Sequence, residues 1–133
     1  MCLIIESESN PKPKIVDRPI VCYKVVERWL GDWQTPYRSK KIEIGKTYES
    51  KLDCKCDGYM NFSVEAGLHS MTDYKSAQKL KEILQFDEPK YTYEIIKCAI
   101  PKGSRYYKGI FKANYINSLS SYASDKIEYI EFC

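Results

Sequence analysis

The spacing of hydrophobic and polar positions changes period once along the chain, and that change divides it. Residues 19–29, PIVCYKVVERW, are β-branched and aromatic and predict a central strand. KKIEIGKTYES, 40–50, alternates at Ile42 and Ile44 and reaches Tyr48 past Gly45, which predicts a strand broken or bulged at the glycine. From Thr72 the spacing becomes helical: Tyr74, Ala77, Leu80 and Leu84 share one face, and Lys75, Lys79 and Lys81 fall elsewhere. Ser70 with Asp73 makes a weak capping box, Thr72 is a second cap candidate, and Pro89 limits the far end. One amphipathic helix is therefore expected over about 72–86. YTYEIIKCAI, 91–100, and KIEYIEF, 126–132, predict two more strands.

The remaining stretches read as connections. GDWQTPYRS, 31–39, is a loop built round Gly31 and Pro36, and KLDCKCDG, 51–58, is rich in turn residues. YMNFSVEAGLHS holds a short strand, PKGSRYYKG turns at Pro101 and Gly103 before another, and 110–124 reads as irregular. Residues 1–18 are expected to be a flexible or extended arm, because 6–19 is polar with three prolines. Strands outnumber helices without alternating with them. The expected fold is a single α+β domain over 19–133, with a mostly antiparallel sheet of about five strands and one main helix.

Composition narrows the class. The 133 residues are 44% hydrophobic, enough for a folded core. Lys and Arg total 21 and Asp and Glu 18, so the net charge of +3 does not by itself call for nucleic acid or an anionic membrane. Twelve tyrosines suit strands and half-wet surfaces. The apolar run Cys2–Ile5 is far too short for a signal-peptide core or a membrane span, so a soluble, cytoplasmic protein is expected. Its six cysteines then read as reduced thiols, with Cys22 and Cys98 acting as small hydrophobes in strands.

Candidate chemistry is sparse. His69 is the only histidine; an imidazole there could bind a ligand, or fix the turn before the helix, and packing is the expected role. Cys54-Lys-Cys56 is tighter than a usual zinc pair, and no metal or cofactor is assigned. PKGSRYYKGIFK interleaves Lys102, Arg105 and Lys108 with Tyr106 and Tyr107, a pattern able to follow a phosphate backbone and stack bases. Trp29, Trp33 and Tyr37 lie beside Arg28 and Arg38, the composition of an interaction hot spot. The candidate binding residues are thus His69, Tyr37, Arg38, Lys102, Arg105 and Tyr107, and the candidate interface residues are Trp29, Trp33 and Tyr37.

In order, MCLII, IVCYKVV, TPYR, IGKTYES, GLHSMTDYKSAQKL, YEIIKCAIPKGSRYYKG and YASDKIEYIEF resemble a family of small proteins from gut Bacteroidetes and their phages and mobile elements. Thr35 stands where that family often has Ser. The resemblance covers most of 19–132 and lends context, not an activity. It implies a non-enzymatic binding module on a host macromolecule, most simply a host protein, with blockade of a defence system as one role. More loosely, a strand, Gly-Leu-His and a short helix look like the core of ADP-ribosyltransferases, which implies NAD or a related nucleotide as the alternative ligand. Here Glu128 and Glu131 depart from that pattern, because E-x-x-E places the carboxylates on opposite sides of a strand.

Overall fold

The computed structural model describes residues 3–5, 11–36, 40–56, 62–112 and 118–133. Its centre is the antiparallel pair β3 (Ile20–Trp29) and β9 (Thr92–Ile100), in unbroken register from Ile20↔Ile100 to Arg28↔Thr92. Outside β9 lie β12 (Lys126–Phe132) and then β5 (Thr47–Glu49). On the other side of β3 come β8 (Leu68–Met71), β11 (Ser118–Ser124) and β10 (Arg105–Lys112). Beyond β10 follow β1 (Leu3–Ile5), β7 (Phe62–Ala66) and β6 (Asp53–Cys56). β2 (Lys14–Ile15) also pairs with β10, and β4 (Asp32–Gln34) folds back on β3. The stretch read as an arm thus supplies β1 and β2, and Leu3 is fully buried.

This corrects the expected fold. The described residues form a mostly β protein, one large curled antiparallel sheet of twelve strands with a single helix, not an α+β domain with about five strands. The strands missing from the sequence reading are short or poor in apolar side chains. β11, SLSSYAS, lies within the stretch expected to be irregular, yet it buries Leu119, Ser121, Ala123 and Ser124 between β8 and β10. Strand propensity measures fit to a half-buried pleated surface, and here the neighbours provide that surface.

Both faces of the sheet carry a core. Cys22, Val26, Ile96, Ile100, Ile127 and Tyr129 pack together on one face. On the other, Val25, Tyr93 and Ile95 meet Ala77, Leu80 and Leu84 of α1 (Tyr74–Asp87). Cys22 and Cys98 face each other in register, both fully buried. The helix starts at Asp73, whose Oδ1 accepts from the Ser76 N–H at 2.7 Å. Thr72 donates instead towards Asp73 Oδ2 and the Ser120 carbonyl, and the Ser70 hydroxyl points into the protein. Bonding to the helix amide also holds the Asp73 carboxyl below its ordinary range. Asp73→Ala is expected to cost about 1 kcal/mol by urea denaturation at pH 7, the usual value of an N-cap; an unchanged midpoint would mean that another group caps the helix.

Candidate functional site

A roomy cleft opens on the helix face among the described residues, and the seam between β3 and β8 explains it. Those strands pair only at Tyr23↔Met71, so β3 continues towards Trp29 without β8 beside it. Along this exit Tyr23, Val25, Glu27 and Trp29 alternate onto the face covered by α1. The uncovered length is flanked by the last turn of the helix and by Pro36. A cleft of about 380 Å³ results, lined by Glu27, Pro36, Leu84, Asp87, Glu88, Tyr91 and Tyr93. That is within the usual size range of small-ligand sites. A narrower cavity of about 30 Å³ sits further along at Tyr23, Val25, Met71 and Leu80, with His69 in its wall.

The cleft is acidic where folding rules favour the opposite charge. Glu27 is only 6% exposed, near the end of β3 between the buried Val26 and the exposed Arg28. Burial raises its carboxyl above the ordinary range, a hydrogen bond with Gln34 opposes this, Glu88 adds to it and Lys90 relieves it. Among the described residues no ion pair is made by Glu27. Asp87 and Glu88 stand at the end of α1, where the backbone already presents partial negative charge, and the last turn carries no basic residue. One wall is aromatic, made by Tyr91 and Tyr93, with Trp29 packed behind Tyr91. Trp29 and Tyr91 meet edge-on with ring centres 5.2 Å apart, and Tyr91 and Tyr93 at 6.3 Å. The Tyr93 hydroxyl donates to the Glu88 carbonyl and ties the helix end to β9. At the rim the Lys90 ammonium lies 5.2 Å from the Tyr91 ring centre, 5.9 Å from that of Trp29 and 4.0 Å from Glu88 Oε2.

His69 is 7% exposed and sits on β8 just after Gly67, which separates β7 from β8. Gly67 has φ +153°, and a Cβ there would come within 2.9 Å of Leu52 Cδ1, so the turn excludes larger residues. The His69 ring Nδ1 lies 3.2 Å from the Gly67 carbonyl, its backbone carbonyl accepts from Lys24 Nζ at 2.6 Å, and Nε2 meets no hydrogen-bond partner among the described residues. Burial first, then the Lys24 charge, push the imidazole down to about 4, against the pull of the Gly67 and Val64 backbone. The ring is buried, and burial favours its neutral form.

The other sequence candidates scatter. Tyr37 and Arg38 lie outside the described residues. Tyr107 shares a face with His69 across Ala123, through the registers Tyr107↔Ala123 and Ala123↔His69, and is buried among Leu3, Ile5 and Val64. Lys102 and Arg105 are exposed at the start of β10, where the Arg105 N–H donates to Asp125. Trp29 faces the helix side. Trp33, its near neighbour in the hairpin, lies on the opposite face against Phe132 and under the Arg28 guanidinium, so the two tryptophans do not form one patch. Lys12, Lys14 and Lys108 meet near Tyr106 at a third pocket of about 20 Å³. Among the described residues no three His, Cys, Asp or Glu side chains are grouped to hold a metal, and no helix is long and apolar enough to cross a membrane.

The sequence reading passed over Glu27, Asp87, Glu88, Tyr91 and Tyr93. Two signals were available: a carboxylate directly after the apolar pair Val25-Val26, and an Asp-Glu pair where a helix end favours Lys or Arg. Comparisons of this chain with protein families, curated proteins and solved structures found no match.

Proposed function

We propose that this chain is a non-enzymatic binding module that engages a host macromolecule through the cleft between the end of α1 and β3. The observation that carries the reading is the cleft itself: roomy, aromatic-walled, and built over a carboxylate that burial disfavours. A protein that places a charge against its own stability usually does so for a ligand. A host protein is the favoured partner, because aromatic side chains around a few polar groups suit protein recognition. The phage or mobile-element context, with a cytoplasmic role and blockade of host defence, rests on the resemblance of the ordered motifs. The nucleotide alternative draws on His69, Tyr37, Arg38 and the basic stretch 102–108; Tyr37 and Arg38 lie outside the described residues, and His69 is separated from the basic start of β10 by burial and by the width of two strands.

A photo-crosslinking residue at Leu30, 86% exposed in the turn beside Trp29, tests this against the same residue at Ile15, exposed on β2 beside the lysines. In lysate of the host, one protein band crosslinked from position 30 and absent from position 15 is expected. Crosslinks to nucleic acid from position 15 alone would overturn the reading.

A further inference from the structure

Resting on that reading, we infer that the cleft takes a single lysine or arginine side chain from a basic segment of the partner protein, seated between the carboxylates of Glu27 and Glu88 and the rings of Tyr91 and Trp29. Four independent features converge on a cation. The floor is the carboxyl of Glu27, a residue more than nine-tenths buried, with its lone pairs only partly used by Gln34. The wall is the terminal turn of α1, which adds Asp87, Glu88 and the negative end of the helix dipole, and has no basic residue of its own to offset them. Tyr91 lines the opening with Trp29 packed edge-on beside it, and ring faces attract ammonium and guanidinium groups.

The fourth feature is Lys90. Its ammonium already touches this rim, over Tyr91 and Trp29 and 4.0 Å from Glu88, and its charge reaches Glu27 without an ion pair to it among the described residues. The chain thus shows with its own side chain that the rim accepts an ammonium beside the buried carboxyl of Glu27. A longer or better-placed cation would displace Lys90 and reach Glu27. Charge complementarity also sets the partner's chemistry: the chain carries +3 overall, so the acidic cleft is a local exception able to select basic groups at short range.

The test uses the full chain and short glycine–serine peptides with one central lysine, arginine, norleucine or citrulline, followed by amide chemical shifts and Trp29 fluorescence. The lysine or arginine peptide should shift Glu27, Glu88 and Tyr91 with a millimolar or tighter dissociation constant, and the norleucine and citrulline peptides should not. Glu27→Gln should weaken binding about tenfold or more. It should unfold no earlier than the native chain, since Gln keeps the link to Gln34 and carries no buried charge. Lys90→Ala should tighten binding severalfold, because the internal competitor is gone. Equal binding of the citrulline peptide, full affinity in Glu27→Gln, or silence with every peptide at millimolar concentration would overturn the cation assignment. None of these touches the Leu30 crosslink, so loss of the cation assignment and loss of the binding-module reading register separately.

Discussion

Lowering the pH from 7 to 4 is expected to remove roughly 3 kcal/mol of stability through His69 alone, and a His69→Gln variant should not lose that increment. The imidazole is neutral and buried in the native chain, with its proton affinity pushed down to about 4 from an ordinary 6.5. The unfolded chain therefore binds more protons than the native one across that window. The contribution is fully present above about pH 6.5 and is lost as the pH falls towards 4. Other groups add their own slopes: Glu27, raised by burial, acts in the opposite sense, and Asp73, lowered by its cap bond, in the same sense. The difference between native and variant chains cancels them. Urea denaturation at half-unit pH steps should show the native curve steeper by up to one proton between pH 4 and 6.5. Parallel curves would mean that the ring titrates in water and that its packed placement is wrong.

Gly109→Ala is expected to be the most damaging single-methyl change, costing roughly 3 kcal/mol. Gly109 lies on β10 beside β1. A Cβ added there would stand 2.3 Å from the Ile4 carbonyl oxygen and 2.9 Å from Leu3 Cδ2. The first contact is with backbone, which has no rotamer by which to withdraw. The strand β1 must then move away, and with it go Leu3, fully buried, and Ile5, almost so, from their packing against Val64 and Tyr107. Amide exchange should report fast exchange in β1 and along the facing edge of β7, while β3 and β9 stay protected. A variant with native exchange in β1 would place the first residues elsewhere than in the sheet.

How legible these features were depends on how local they are. The helix shows in the sequence because four apolar residues recur at its own period and Asp73 stands at its start. β3, β9 and β12 show because they are long apolar runs between turn residues. His69 could be weighed as a packed side chain from Gly67 and the helix that follows. The acidic cleft could not be assembled that way. Glu27 and Glu88 are separated along the chain by β4 to β8 and the whole of α1, and they meet only because β3 pairs with β9 along its whole length while α1 lies across both.

Periodicity, charge and turn chemistry were enough to determine a folded chain with long apolar strands, one amphipathic helix and little net charge, because each depends on residues a few positions apart. Strand number, the burial of β1, the gap left where β3 parts from β8, and the acids gathered beside it came only with the assembled sheet. Those features follow from pairings between distant segments, and the free energy that selects them is shared by both partners and written in neither alone.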